Sequence, residues 1–150
     1  MFKPKKILVP VDFSDRSEIC LAKALEIAEN VGSKIVLLHV VEKKEDELLN
    51  MYLSKEQLEK INDDIKTHAE NQLNELIAKV GSGKSIDIEK RVVFGIPYDV
   101  IVRLTEEEDF DLVVIASHGR SGIEKFFYGS TTEKVVRRAA CSVLLVKEKA

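Results

Sequence analysis

Residues 7–41, ILVPVDFSDRSEICLAKALEIAENVGSKIVLLHVV, contain the pattern that decides the fold. The stretch opens on an apolar run at 7–11 and closes on a second one at Lys34–Val41. Between them a helical pattern follows Ser14, a residue type that often caps helices, and ends at Gly32. The apolar positions of this helix recur at helical spacing and are Leu21, Ala24, Leu25 and Ala28. A strand, a helix and a strand in this order predict two parallel strands joined by a crossover helix.

The rest of the chain repeats the alternation of helices and strands. A long second helix is predicted at about Lys55–Val80, where Ser54 and Gln57 match a capping box. Its predicted apolar face consists of Leu58, Ile61, Ile65, Ala69, Leu73, Leu76, Ile77 and Val80. The later predicted elements are strand three at about 86–93, helix three from Pro97 to the acidic run 106–109, strand four at Leu112–Ala116, helix four from Ser130, and strand five at 143–146. We interpret the acidic run as a solvated helix end.

The pattern of apolar residues also predicts the order of the strands. Strands one, two and four are continuous apolar runs, as expected of central strands that are covered on both faces. Strand three starts by alternating apolar and acidic residues over 86–89, which suits an edge strand with one wetter face. We therefore predict an α/β fold, a doubly wound five-stranded parallel sheet of order 3-2-1-4-5 with right-handed crossovers and helices on both faces. Residues 1–150 suit a single domain.

Strand five forms the other edge of the sheet in this order. Its sequence, Val143-Leu144-Leu145-Val146, is nevertheless wholly apolar. An exposed apolar edge invites pairing with another strand. We therefore predict a homodimer that forms through strand five.

Composition limits the classes of partner. Lys and Arg number 23 and Asp and Glu number 26, so the net charge of −3 gives no reason to expect a nucleic-acid or membrane partner. No apolar run reaches the ~18–20 residues that span a bilayer. The two cysteines, Cys20 and Cys141, do not make a disulfide framework. We expect a reduced, cytoplasmic protein.

A glycine-rich turn follows strand four, at the place where an open parallel sheet binds ligands. Such ligands lie beyond the carboxyl ends of the strands where the strand order reverses, here between strands one and four. The turn reads Ala116-Ser117-His118-Gly119-Arg120-Ser121-Gly122, and Gly129-Ser130 opens helix four. Glycine permits close backbone approach and a helix start presents free N–H groups, so a phosphate chain could lie between Gly119 and Ser130. Alternatively, the glycines make only a turn and Ser130 only caps its helix together with Glu133.

Asp12 follows strand one at the same edge of the sheet. Its carboxylate could accept hydrogen bonds from ribose hydroxyls, or it could simply join Ser14 in capping helix one. The residues alone leave both roles open.

Four segments, in chain order, resemble the universal stress protein family. They are KILVPVDFS at 6–14, LLHV at 37–40, VFGIP at 93–97, and 117–130 together with ACSVLLV at 140–146. The resemblance covers essentially the whole chain. It implies a doubly wound α/β fold and, for the ATP-binding members, a nucleotide site.

The ATP-binding members carry the motif G-x-x-G, nine residues, then G-S/T. Here Ala116 replaces the first glycine, while Gly119 stands at the second and Gly129 and Ser130 end the motif. The further residues that the resemblance places around ATP and Mg²⁺ are Asp12 at the ribose, Pro10, Val11 and Val40 around the adenine, and Thr131 at the phosphates. Arg120 is either one more phosphate contact or a solvated loop arginine.

The resemblance implies an adenine nucleotide-binding regulatory module that responds to ATP by changing shape or partners. No clear general base is evident, so we expect any ATPase activity to be slow. The alternative is an interaction protein of the same family without nucleotide, and Ala116 is the residue that favours it.

The remaining motifs of the sequence do not favour another activity or a metal site. A phosphoacceptor regulator would need an Asp at the end of strand three, where Val93-Phe94-Gly95 stands, and a flavodoxin-like carrier or an ATP-pyrophosphatase would need a Gly-rich loop after strand one. Gly83-Lys84-Ser85 resembles the end of a Walker A loop but has the wrong flanking elements. His39 is interpreted as a core residue, and it shares no metal-ligand spacing with His68 and His118.

Overall fold

Five apolar segments form a single parallel sheet in the computed structural model, which describes residues 1–42, 47–81, 85–117 and 130–147. The strands are β1 (Lys6–Pro10), β2 (Lys34–Val41), β3 (Ile88–Phe94), β4 (Leu112–Ala116) and β5 (Ser142–Val146). They lie in the order β3-β2-β1-β4-β5, which confirms the predicted order. Ile7 of β1 lies between Ile35 of β2 and Leu112 of β4, so β1 is central.

Five helices connect the strands within the described residues. They are α1 (Asp15–Val31), α2 (Glu47–Tyr52), α3 (Lys55–Val80), α4 (Pro97–Glu107) and α5 (Ser130–Arg138). The short helix α2 was not predicted, and the predicted helices two, three and four correspond to α3, α4 and α5. None of the helices in the described ranges is long and apolar enough to cross a membrane.

The helices cover both faces of the sheet. Ile7 and Val9 of β1 pack in one cluster with residues of α1 and α3, whereas Leu8 packs in a second cluster with residues of α4 and α5. Successive side chains of a strand point to opposite faces, so a wholly apolar strand needs a cover on each side. The doubly wound α/β arrangement is therefore confirmed.

Helix α3 begins and α1 ends as predicted. The Ser54 hydroxyl accepts from the N–H of Gln57 at 3.1 Å, and the Gln57 side chain accepts from the N–H of Ser54 at 2.8 Å. Gly32 ends α1 with a φ of 77°, a left-handed conformation that favours glycine.

Only the second half of α3 belongs to the core. Ala69, Leu73 and Leu76 are buried, whereas Ile61 and Ile65 are 42% and 40% exposed, so the first half of the predicted apolar face lies outside the core. The reason is length. A helix of 26 residues is about 39 Å long, and the longest strand, of 8 residues, spans about 27 Å.

The acidic run after α4 is not simply a solvated helix end. Helix α4 ends at Glu107, and the Glu108 carboxylate accepts from Arg91 of β3 at 2.7 Å and from Lys6 of β1 at 3.1 Å. The solvated interpretation was wrong for Glu108, because its carboxylate lies within hydrogen-bond distance of a cation on β1 and a cation on β3.

Candidate functional site

A cavity of about 540 Å³ opens at the carboxyl edge of the sheet. Its wall is built from the ends of β1, β2 and β4, the first turns of α4 and α5, and one side of α1. The strand order reverses between β1 and β4, so the cavity occupies the switch point of the sheet. Its volume lies within the ~300–1,000 Å³ of small-molecule sites.

The cavity brings together seven of the predicted site residues. They are Pro10, Val11, Asp12, Val40, Ala116, Ser130 and Thr131. The other predicted site residues, Gly119, Arg120 and Gly129, lie outside the described residues, as does His118. Several lining residues were not predicted, among them Ser17, Cys20, Glu42 and Thr132.

Asp12 forms the turn that leads from β1 into α1. Its Oδ1 accepts from the backbone N–H of Ser14 at 3.0 Å and from the Ser17 hydroxyl at 3.3 Å. A carboxylate that accepts from the N–H two residues further on closes an Asx turn. Ser14 is the N-cap residue of α1, as predicted, but its side chain makes no capping hydrogen bond, and its buried Oγ has no hydrogen-bond partner among the described residues. Asp12 satisfies the start of α1 and also lines the cavity.

The residue after Asp12 has an uncommon backbone conformation. Phe13 has a φ of 63° and is the only non-glycine residue with positive φ in the described part of the chain. Its ring lies against that of His39, with 4.3 Å between the ring centroids. His39 is hydrogen bonded, as expected of a satisfied histidine, but it is only half-buried and lines the cavity.

Thr132 ties the start of α5 to the end of β4. Its hydroxyl, in a residue only 4% exposed, donates to the carbonyl of Ala116 at 2.9 Å. This bond holds Ser130 and Thr131 of the first turn of α5 beside the cavity. The sequence could have indicated that Thr132 is buried, because Thr132 lies three residues before Val135 and therefore on the same buried face of the helix.

Ala116 fits its position without strain. It is the last residue of β4, pairs with Val146 of β5 and does not have positive φ. A glycine is therefore not required at this position for backbone reasons.

The charges around the cavity are uneven. Asp12 and Glu42 contribute two carboxylates, and the described lining holds no Lys or Arg. The first turn of α5 contributes the positive end of a helix dipole and N–H groups that have no partner within the helix. The wall therefore carries negative charge at Asp12 and Glu42 and positive potential at the start of α5.

Cys20 lies in the wall as a neutral thiol. Burial, and to a lesser degree the nearby charge of Asp12, raises the pKa of Cys20 to about 12. The thiolate is the nucleophilic form, so the raised pKa makes Cys20 a weak nucleophile at neutral pH.

The fold and the cavity define a doubly wound α/β protein with a cavity at its switch point. The model of the universal stress protein family matches residues 3–147, so the chain belongs to this family. Its predicted family is thereby confirmed.

Related proteins share the fold over nearly their whole length. Universal stress protein MJ0577 of Methanocaldococcus jannaschii is 30% identical over 97% of this chain and 96% of its own length. The solved structure of MJ0577 superposes with a TM-score of 0.83 at 27% identity and covers 99% of each chain. Universal stress protein UspA from Lactobacillus plantarum is 26% identical, with a TM-score of 0.78, over 95% of this chain and 97% of its own. A universal stress protein solved in complex with cAMP is 25% identical, with a TM-score of 0.70, over 97% of this chain and 98% of its own.

Proposed function

We propose that this protein binds an adenine nucleotide, ATP with Mg²⁺, in the cavity at the switch point and acts as a nucleotide-responsive regulatory module. The observation that carries the proposal is the convergence of seven residues from separate parts of the chain on one cavity of suitable volume. A related universal stress protein was solved with cAMP, which is itself an adenine nucleotide. Any hydrolysis is proposed to be slow, because the sequence offers no clear general base.

The parts of the nucleotide match different walls of the cavity. Pro10, Val11 and Val40 form an apolar wall suited to the faces of an adenine ring. The Asp12 carboxylate lies beside this wall and can accept from ribose hydroxyls while its Oδ1 also closes the turn into α1. Ser130 and Thr131 begin α5, whose free N–H groups suit phosphate oxygens.

The carboxylates of the wall suit a shared magnesium ion. Mg²⁺ is usually held by one or two carboxylates together with substrate phosphates. Asp12 and Glu42 supply this donor type, and no cluster of three or more metal-ligating side chains occurs among the described residues. Mg²⁺ would offset phosphate charge beside these carboxylates, and its binding here would depend on the nucleotide.

The test is calorimetric titration of nucleotide-free protein with Mg-ATP, in the wild type and in Ser130→Asp. The substitution puts a carboxylate at the start of α5, where the phosphates are proposed to lie, and is expected to weaken binding at least about tenfold. Ser54→Asp is the matched control, because it changes the same residue type at the start of α3, outside the cavity. Mass spectrometry of small molecules released on denaturation shows which nucleotide the purified protein carries.

The result also tests the alternative function. If the wild type binds no Mg-ATP at millimolar concentration and releases no nucleotide, the proposal is wrong. The protein would then be an interaction module of the family. Ala116 does not have positive φ, so the backbone gives no argument for that alternative, and the argument that remains is the added methyl group of Ala116 in the cavity wall.

We also propose that two copies pair through β5. This strand is an edge of the sheet, and its apolar residues Val143, Leu144 and Leu145 remain only half-buried in the single chain. Unpaired backbone groups and apolar side chains at such an edge favour a second strand.

A matched pair of edge substitutions tests this dimer. Val143→Glu on β5 is expected to give a monomer in light scattering at micromolar concentration, and Val92→Glu on the opposite edge β3 is expected to leave the dimer intact. Circular dichroism checks that both variants fold. A wild type that is monomeric across the dilution series would contradict the proposal.

A further inference from the structure

Two neighbouring residues of β2 hold the backbone of Val11 from both sides. The N–H of Val11 donates to the carbonyl of Leu38 at 2.8 Å. The carbonyl of Val11 lies 2.8 Å from Nδ1 of His39. The backbone just beyond β1 is therefore fixed by a main-chain contact and by a side chain.

The second contact shows which role Nδ1 of the imidazole plays. A carbonyl oxygen can only accept a hydrogen bond, so Nδ1 of His39 must carry the proton and donate it to Val11. An aliphatic side chain in place of His39 would leave the Val11 carbonyl without this donor.

The same imidazole packs against the strained residue of the turn. Phe13 has a φ of 63°, a left-handed conformation that is unfavourable for a non-glycine residue. The rings of Phe13 and His39 lie 4.3 Å apart with a tilt of 37°. Strained conformations persist where the surroundings hold them, and they cluster at functional sites.

We propose that His39 is a positioning residue for the nucleotide: by donating to Val11 and packing on Phe13, it fixes the Val11–Phe13 turn that places the Asp12 carboxylate at the cavity. The identity of the ligand in this inference rests on the proposed nucleotide function, whereas the ordering of the turn by His39 does not. Asp12 lies between the two residues that His39 contacts, so a looser turn would spread its carboxylate over several positions and weaken ligand binding.

Three substitutions of His39 separate the hydrogen bond from the bulk of the side chain. His39→Leu removes the donor and is expected to weaken Mg-ATP binding about tenfold. His39→Asn keeps an N–H donor the same number of bonds from the backbone as Nδ1 and is expected to bind within about threefold of the wild type. His39→Gln places its donor one bond further out and is expected to resemble His39→Leu. His68→Leu on the exposed surface of α3 is the control and is expected to bind like the wild type.

A measurement without nucleotide keeps this inference separate from the proposed function. In ¹⁵N spectra of the nucleotide-free protein, Nδ1 of His39 is expected to show the shift of a protonated ring nitrogen. His39→Leu is expected to accelerate amide exchange at Val11 and Ser14, whose N–H groups donate to the Leu38 carbonyl and to Asp12 Oδ1. If the wild type binds no Mg-ATP while these changes occur, the nucleotide function fails and the positioning of the turn stands. If the wild type binds and His39→Leu binds equally well, or if His39→Asn binds as weakly as His39→Leu, the inference is overturned.

Discussion

The hydroxyl of Thr132 is a single group on which the geometry of the cavity depends. Thr132→Val keeps the size of the side chain but removes the bond to the Ala116 carbonyl. We expect the free energy of unfolding to fall by about 1–2 kcal/mol, because a buried acceptor loses its donor. Urea denaturation measures the change.

The control for Thr132 is a threonine that makes no such contact. Thr67→Val lies on the exposed surface of α3 and is expected to change the stability by less than about 0.5 kcal/mol. Equal effects of the two substitutions would mean that the Ala116 contact contributes nothing.

Cys20 provides a second test at the residue scale. A pKa raised from 9.0 to about 12 lowers the thiolate fraction near pH 8 about a thousandfold, and burial further limits access. With single-cysteine variants, we expect iodoacetamide to label Cys20 at least about tenfold more slowly than the half-buried Cys141. In urea the two rates should converge. Rapid labelling of Cys20 in the folded protein would contradict its burial.

Helix α3 divides into an exposed half and a core half, so substitutions in the two halves should differ in their effect on the free energy of unfolding. Leu73→Ala removes a fully buried side chain and is expected to cost about 2–5 kcal/mol of stability. Ile61→Ala changes a side chain that is 42% exposed and is expected to cost less than about 1 kcal/mol. Chemical denaturation of both variants gives the comparison. A large loss for Ile61→Ala would mean that the first half of α3 is covered in solution.

An ion-pair network joins distant parts of the whole molecule, because it links three strands of the sheet to Glu108 at the end of α4. Arg91 of β3 pairs with Glu89 and Glu108, Lys6 of β1 pairs with Glu108, and Lys34 of β2 pairs with Glu89. Hydrogen bonds from Arg91 lower the pKa of both glutamates. These side chains remain partly exposed, so the network contributes little at neutral pH, about 1 kcal/mol or less.

The lowered pKa values give the network a defined pH dependence. Its stabilisation is present above the unfolded pKa of 4.5 and is lost as the pH falls through the lower folded values. Arg91→Gln should therefore lower the stability at pH 7 and make the acid loss below pH 4.5 shallower than in the wild type. Thermal unfolding between pH 7 and pH 3 measures both slopes. Parallel curves for the two proteins would show that Arg91 does not control these glutamates.

The sequence by itself determined the fold and most of the described candidate site. Continuous apolar runs marked the central strands, because a strand that is covered on both faces carries apolar residues at every position. The strand order then placed a site beyond β1 and β4, and the described residues predicted from the family resemblance all line the cavity there.

Only the tertiary structure decided which groups support that site. His39 with Val11, Thr132 with Ala116, and Glu108 with Lys6 are pairs separated by 28, 16 and 102 residues. Local sequence patterns indicate which face of a helix or strand is apolar and where the element ends. The contacts between these three pairs depend instead on distances that are fixed only when the elements pack. The exposure of the first half of α3 was not predicted for the same reason. Its apolar residues repeat at the spacing of a core-facing helix, but this part of the helix extends beyond the sheet.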